Sequence, residues 1–121
     1  MEDISPKSIL RIYLSSTDKF NLDPMYESIF FQAKKNNLAG ATVIKGILGY
    51  GASSIIHSNK FWEISDKVPV VIEIIDTAEK IRDFFELIRP QLDAMSYGCL
   101  ATLENIEVLI YKTGKTKHIK S

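Results

Sequence analysis

The chain has 121 residues, 45% of them hydrophobic and 25% charged, which is ordinary usage for one folded domain with a buried core. Its 15 basic and 15 acidic residues balance, which argues against nucleic acid or an anionic membrane as the main partner, because both attract a basic surface. The single cysteine, Cys99, excludes an internal disulfide framework and a cysteine-rich metal site, and it fits a reducing, cytoplasmic setting.

The first part of the chain predicts a strand, a helix and a second strand. Residues 1–7 lack the basic and apolar regions of a signal peptide, and we expect them to be flexible. Residues 8–15 alternate apolar and polar side chains, as a half-buried strand does. Asp23 and Pro24 predict the N-cap and the first-turn proline of a helix that fades in Lys-Lys-Asn-Asn. Residues 41–48, rich in β-branched side chains, predict the second strand.

A third strand and a second helix follow. Residues 67–76 are nearly all apolar through their middle, which predicts a strand in the interior of the sheet. Asp76 and Thr77 predict the start of the helix, with Glu79 at the capping-box position if Asp76 is the N-cap. Pro90, late in this helix, predicts a kink or an early end.

The end of the chain completes the pattern. Two apolar pieces, 100–103 and 106–111, predict a fourth strand with a bend between them, and the basic residues 113–121 predict a loose tail. The order βαββαβ predicts one α+β domain over residues 1–121, with a ferredoxin-like, four-stranded antiparallel sheet and two helices on one face. The other face of such a sheet is left uncovered, and small domains commonly bury an open apolar face by self-association.

Three glycines, Gly46, Gly49 and Gly51, follow the second predicted strand. They open a connection of roughly twenty residues, 46–66, and compact domains keep connections of that length for function or leave them disordered. Glycine lets a backbone approach a ligand closely, so the segment predicts a cradle of N–H groups around an anion or nucleotide. The alternative is a bulge where the strand leaves the sheet, and the spacing is not that of a P-loop.

Polar and aromatic side chains continue the same segment. Ser53 and His57 are candidates for contact with a base, a phosphate or a metal, whereas a lone histidine more often makes an ordinary hydrogen bond. The other histidine, His118, lies in the tail, so a metal site would have to be built across subunits. Phe61 and Trp62 are candidates for binding a partner protein, the alternative being packing within the assembly.

The residues contain no recognisable catalytic arrangement. Cys99 has no accompanying histidine and acid in the sequence, so a small buried thiol is the preferred interpretation. Glu73 lies in an apolar run and predicts an ion pair with Arg11 or Lys45, across the sheet or between subunits. We therefore expect a protein that is not an enzyme and that requires no cofactor or resident metal.

An ordered series of motifs over residues 9–111 resembles the DUF190 family. The motifs are Leu10-Arg-Ile-Tyr13, Ser16-Thr-Asp-Lys19, Leu38-Ala-Gly-Ala-Thr-Val43, Gly46-Ile-Leu-Gly-Tyr-Gly51, Ile56-His57, Ser65-Asp66, Pro69-Val-Val-Ile-Glu-Ile74 and Thr102-Leu-Glu-Asn-Ile-Glu-Val108. DUF190 proteins are similar to the PII signalling proteins and to divalent-ion-tolerance proteins of the CutA type.

The resemblance implies a PII-like homotrimer that binds an adenine nucleotide in clefts between its subunits. Segment 46–66 would be a signalling loop that reaches a partner such as a membrane transporter or ion channel. Gly98 would lie in the phosphate-side loop, and Lys112, at the end of the last strand, would reach the phosphates. The interval from Gly98 to Lys112-Thr-Gly114 matches the PII pattern.

Departures from the PII pattern narrow the range of nucleotides that the resemblance implies. Cys99 stands where a PII loop has a lysine and Ile110 where it has a second basic residue, which favours AMP, ADP or a cyclic nucleotide over ATP with magnesium. The alternatives are a CutA-like divalent-metal-binding trimer and a non-sensing oligomeric scaffold. The ligand-binding candidates are Gly46, Gly49, Tyr50, Gly51, Ser53, His57, Gly98, Cys99 and Lys112.

Overall fold

The computed structural model describes residues 6–51 and 67–114 and the backbone of residues 57–58. Its main elements are β1 (Lys7–Ser15), α1 (Met25–Lys35), β2 (Gly40–Lys45), β3 (Pro69–Asp76), α2 (Ala78–Asp93) and β4 (Leu100–Ile106). Two pairs of two-residue strands lie in the connections, Lys19–Phe20 with Asp23–Pro24 and Leu48–Gly49 with His57–Ser58. The order of the main elements confirms the predicted βαββαβ pattern.

The four main strands form one antiparallel sheet in the order β2-β3-β1-β4. β3 pairs with β1 on one side and with β2 on the other, so the prediction of an interior strand from its apolar run is confirmed. β1 lies between β3 and β4. The last residue of β1, Ser15, therefore lies opposite the first residue of β3, Pro69. This edge of the sheet positions the site described below.

Both helices pack on one face of the sheet. The alternation of a strand points Ile12 and Ile72 toward the helices, and both side chains are fully buried. Ile29 of α1 and Ile81 and Ile88 of α2 cover them from the helix side. Burial of one such side chain contributes about 1.5–3 kcal/mol, so this layer holds the sheet and the helices together.

The other face of the sheet carries a polar centre beside exposed apolar side chains. Nε of Arg11 lies 3.0 Å from Oε2 of Glu73, and Nη1 lies 2.7 Å from Oε1 of Glu104. The ion pair predicted for Glu73 is therefore made across the sheet to Arg11. In the neighbouring row of residues paired across the four strands, Ile44 is 45% and Leu100 is 53% exposed. This face therefore retains apolar surface.

Helix α1 begins without the predicted cap. Pro24 takes the N-cap position, and no side chain caps the helix. The prediction of Asp23 as the N-cap is wrong because Asp23 and Pro24 pair as a short strand with Lys19–Phe20. The residues that lead into the helix are therefore extended and paired with another strand, and they do not form a capping turn.

The cap of α2 is Thr77 and not Asp76. The hydroxyl of Thr77 accepts a hydrogen bond from the Lys80 N–H at 3.3 Å. The Asp76 carboxylate is buried and accepts from the Ala39 N–H at 2.8 Å, which ties the start of β2 to the start of α2. The aspartate predicted as a cap therefore joins two elements that are distant in sequence.

Pro90 does not end α2. The helix continues to Asp93, and the Ala94 N–H donates to the Pro90 carbonyl oxygen at 3.1 Å. Ile88 and Leu92, on either side of the proline, are both buried in the core. Their packing offsets the single helix hydrogen bond that proline cannot donate.

The ends of two strands differ from prediction because their partners end. β4 is one strand that stops at Ile106, opposite Lys7 at the start of β1, so residues 107–111 do not extend it. The predicted fourth strand is therefore confirmed, but its predicted bend and its continuation to residue 111 are wrong. β2 stops at Lys45, next to the first residue pairs of β3, and Gly46 makes one further backbone hydrogen bond to Pro69.

Candidate ligand-binding cleft

A cleft of about 700 Å³ lies at the edge of the sheet where β1 ends and β3 and β4 begin. Its walls come from the turn after β1, the glycine-rich connection after β2, and the loop between α2 and β4. This volume lies in the range of small-molecule sites.

The glycine-rich wall is held against the start of β3. The Gly46 N–H donates to the Pro69 carbonyl oxygen at 2.7 Å. A Cβ would lie 2.9 Å from Cγ of Pro69 at Gly46, and 3.3 Å from it at Gly49, so this close approach favours glycine at both positions. At Gly51 no atom of the described residues lies within 4 Å of such a Cβ. With Tyr50, these glycines form one wall of the cleft.

The loop before β4 forms the opposite wall through Tyr97, Gly98, Cys99 and Leu100. One chain therefore brings together two groups of candidates that are far apart in sequence. Burial raises the pKa of the Cys99 thiol, and the negative charge of Asp18 raises it further. A raised pKa keeps the thiol protonated at neutral pH, which argues against a nucleophile. Cys99 is half-buried, and not fully buried as the preferred interpretation had it.

Several candidates are not part of this cleft or cannot be located in it. Lys112 is exposed and lies beyond the end of β4, so its predicted place at the end of the last strand is wrong. It does not line the cleft of its own chain. The backbone of His57 pairs with Gly49 across the base of the connection. Ser53, Phe61 and Trp62, like the side chain of His57, lie outside the described residues.

Tyr13, Asp18 and Lys67 line the cleft but were not among the sequence candidates. Tyr13 lies in the predicted strand 8–15, Asp18 in the loop after it, and Lys67 at the start of the predicted strand 67–76, so closeness to strand ends was the available signal. Lys67 is the only cationic side chain among the described residues of the cleft, and it has no ion-pair partner within the described part of the chain. It provides a positive charge for an anionic group of a ligand.

Three tyrosines surround the cleft at Tyr13, Tyr50 and Tyr97, with 40%, 77% and 61% of their surface exposed. Aromatic rings of this kind offer flat apolar surfaces with a polar end, and they stack well on other aromatic rings. The cleft therefore combines glycine backbone, aromatic surface and one cation.

The described residues contain no cluster of three or more histidine, cysteine, aspartate or glutamate side chains that could hold a metal ion. The CutA-like alternative depended on the His57 side chain, which is not described, and so it stays a hypothesis. In the same described ranges, no helix is long and apolar enough to cross a bilayer.

The model of the DUF190 family, described as "Uncharacterized ACR", matches residues 7–108 of the chain. The chain belongs to the DUF190 family. The UPF0166 protein of Aquifex aeolicus (strain VF5) is 39% identical to this DUF190 protein over 103 residues, which cover 85% of the chain and 93% of the relative. The UPF0166 protein MJ1524 of Methanocaldococcus jannaschii is 42% identical over 73 residues, 60% of the chain and 67% of the relative.

Solved structures with a similar fold are PII-like proteins. CPII of Thiomonas intermedia K12, a nitrogen regulatory PII-like protein bound to ADP, AMP and bicarbonate, superposes with a TM-score of 0.65 at 18% identity, covering 88% of this DUF190 chain and 92% of CPII. A protein of Thermus thermophilus described as PII-like has a TM-score of 0.58 at 15% identity, with coverages of 85% and 89%. These likenesses confirm the predicted PII-like, ferredoxin-like fold.

Proposed function

We propose that this DUF190 protein is a PII-like sensor that binds an adenine nucleotide in the cleft and signals its occupancy to a partner protein through segment 46–66. The observation that carries the proposal is that the glycine-rich wall and the Gly98–Cys99 wall enclose one cleft of about 700 Å³. The structure of CPII, a protein of similar fold, contains ADP and AMP, which supports an adenine nucleotide as the ligand.

The residues of the cleft suggest how a nucleotide is held. The tyrosine rings stack on the base, and the exposed backbone of the glycine-rich wall follows the ribose and phosphate closely. Lys67 neutralises phosphate charge. A single cationic side chain among the described residues of the cleft favours AMP, ADP or a cyclic nucleotide over a triphosphate.

The proposed assembly is a homotrimer in which neighbouring subunits complete the site. The outer sheet face carries a row of apolar side chains, Ile44, Val71, Tyr13 and Leu100, which pair across the four strands. An exposed apolar row of this kind is commonly buried by another copy of the chain. In such a trimer Lys112, which is exposed, contributes a second cation from a neighbouring subunit.

Signalling follows from the position of the glycine-rich wall at the base of segment 46–66. The backbone of Leu48–Gly49 pairs with His57–Ser58, so a ligand that contacts this wall contacts the root of the segment. Occupancy changes the partner's response only if the ligand favours one conformation of the segment over another. Phe61 and Trp62 are the proposed contacts with the partner, a membrane transporter or ion channel.

A binding experiment with a matched pair of glycine variants tests the nucleotide site. Titration calorimetry measures AMP, ADP, ATP and cyclic AMP binding to the wild type, to Gly51→Val and to Gly40→Val. No atom of the described residues lies within 4 Å of the Cβ position at either glycine, so both variants are expected to fold. Gly51→Val places its side chain at the cleft wall and should weaken AMP binding at least about tenfold, whereas Gly40→Val, at the far end of β2, should bind as the wild type does.

A thermal-shift screen adds an independent readout. A nucleotide at 100 times its dissociation constant stabilises the folded state by about 2.7 kcal/mol. Failure of every adenine nucleotide to bind or stabilise the wild type would contradict the sensor proposal. Stabilisation by copper or zinc ions alone would favour the metal-binding alternative instead.

A further inference from the structure

Asp18 is a buried carboxylate at the floor of the cleft. Its side chain belongs to a residue that is only 7% exposed, and it lines the cleft beside the turn after β1. Its Oδ2 accepts a hydrogen bond from the Ser15 N–H at 2.8 Å. Within the described part of the chain, its other oxygen, Oδ1, accepts no hydrogen bond. A buried carboxylate oxygen without a protein donor needs one from water or from a ligand.

The backbone around Asp18 is firmly held. Its carbonyl oxygen accepts from the Met25 N–H at 2.7 Å, and its own N–H donates to the Ser15 carbonyl oxygen at 3.1 Å. Ser16, two residues earlier in the same turn, donates its N–H to the Val68 carbonyl oxygen at 2.9 Å. The Asp18 carboxylate is therefore presented to the cleft from a turn that both α1 and the segment before β3 fix in place.

The charges of the cleft are separated. The Asp18 carboxylate lies close enough to Cys99 for its charge to raise the pKa of that thiol. Lys67 lines the same cleft without forming an ion pair with Asp18. The cleft therefore carries a negative charge on Asp18, near Cys99, and a positive charge on Lys67 that is not paired with it. Asp18 repels a phosphate and Lys67 attracts it.

We propose that Asp18 is a specificity-determining residue, whose Oδ1 accepts a hydrogen bond from an N–H or O–H group of the ligand at the cleft floor. This inference rests on the proposed nucleotide site and adds its orientation. A donor-bearing part of the nucleotide points down to Asp18, and the phosphate points toward Lys67.

An adenine nucleotide offers two kinds of donor to such a carboxylate, the exocyclic amine of the base and the hydroxyls of the ribose. A hydrogen bond to a charged acceptor is among the stronger ones in proteins, so loss of the donor should weaken binding about tenfold or more. Replacement of the amine by a carbonyl oxygen, as in IMP, would place two acceptors against each other. IMP, 2′-deoxy-AMP and 3′-deoxy-AMP therefore separate the possible donors.

Asp18→Asn is the sharpest variant. The amide can keep its oxygen on the Ser15 N–H and turn its NH₂ group, a donor, toward the cleft. AMP binding should fall about tenfold or more, while binding of the analogue that lacks the relevant donor should change little. Asp23→Asn is the control, because it removes the same charge from an exposed position of the following loop that does not line the cleft.

Titration calorimetry of the full chain with AMP and the three analogues tests whether Asp18 accepts a hydrogen bond from the ligand. One analogue that binds the wild type at least about tenfold more weakly than AMP, with that difference lost in Asp18→Asn, supports the inference. Equal binding of AMP and all analogues to the wild type overturns it, even if the variant does not fold. Equal AMP binding by Asp18→Asn and the wild type, or equal losses in Asp18→Asn and Asp23→Asn, also overturns it and leaves the sensor proposal standing. If no nucleotide binds the wild type, the sensor proposal fails and this inference fails with it.

Discussion

At the scale of single residues, Pro69 separates the glycines of the cleft wall into two kinds. Its ring lies against the Cβ positions of Gly46 and Gly49, whereas no described residue lies within 4 Å of the corresponding position at Gly51. The first two glycines permit the close approach of the wall to β3. The third leaves space at the cleft, where a side chain would meet a ligand and not the protein.

Gly46→Ala should therefore lower the stability of the fold. The new Cβ, at 2.9 Å from Cγ of Pro69, forces the wall away from β3, and such overpacking costs about 1–3 kcal/mol. Urea denaturation of Gly46→Ala measures the change in the free energy of unfolding. Gly51→Ala is the control and should match the wild type. Equal stability of Gly46→Ala and the wild type would contradict the tight packing of this wall on Pro69.

Asp18 shows why part of the cleft could not be predicted from neighbouring residues. In sequence it belongs to the motif Ser16-Thr-Asp-Lys19 and shares a polar loop with Asp23, but nothing in that motif indicates that its side chain is buried. In the structure the turn after β1 buries it, while Asp23 stays exposed. Burial depends on how the surrounding turn is held, and here α1 and the segment before β3, both later in the chain, fix that turn through hydrogen bonds.

At the scale of elements, the start of α2 depends on two neighbouring side chains with different tasks. Thr77 caps the helix through Lys80, and Asp76 links the helix start to the N–H of Ala39 just before β2. The choice between them could not be made from sequence, because both residue types cap helices well. The Asp76 carboxylate accepts a hydrogen bond from the Ala39 N–H, and the helix is capped by Thr77.

Thr77→Ala should reduce the free energy of unfolding by about 1 kcal/mol, the usual effect of removing a side-chain cap. Thr77→Ser keeps the hydroxyl and should lose much less. Thermal and urea denaturation of the two variants measure the difference. Equal losses in both would mean that the methyl group of Thr77, and not its hydroxyl, stabilises the helix start.

The lengths of β2 and β4 illustrate a second limit of sequence patterns. Residues 107–111, Glu-Val-Leu-Ile-Tyr, have a composition that favours a strand, yet β4 stops at Ile106 because β1 begins at Lys7, its partner in that register. A strand needs a partner for its backbone hydrogen bonds. Composition alone therefore predicts the strand but not its end.

At the scale of the whole molecule, the two faces of the sheet differ in what they offer to another chain. The helix layer covers one face, and the outer face shows apolar side chains around the ion pairs of Arg11. The Arg11 side chain is about one-third exposed, and surface ion pairs contribute little. The apolar row, not the ion pairs, is therefore the part of this face that would gain most from burial.

Ile44→Lys should weaken the proposed trimer. Ile44 is 45% exposed on the outer sheet face and does not line the cleft, so the variant tests assembly without changing the site of the protomer. An unpaired charge in an apolar interface is costly, and we expect at least about tenfold weaker association. Analytical ultracentrifugation over a range of concentrations measures it.

Leu87→Lys is the matched control, because Leu87 is 55% exposed on α2, in the layer on the opposite side of the sheet. It should assemble as the wild type does. A wild-type protein that sediments as a monomer at all concentrations would contradict the proposed trimer. Equal weakening by both variants would place the interface elsewhere.

By itself the sequence determined the order of the elements, the interior position of β3, the PII-like fold and the family. These properties follow from hydrophobic periodicity and from ordered motifs, which are written along the chain. Only the tertiary structure decided the ends of β2 and β4, the cap of α2, and the membership of the cleft, where Asp18 and Lys67 join the glycines and Cys99. The reason is that strand pairing, burial and the proximity of charges depend on contacts between residues from distant parts of the chain. A local sequence pattern does not show which distant residues come into contact.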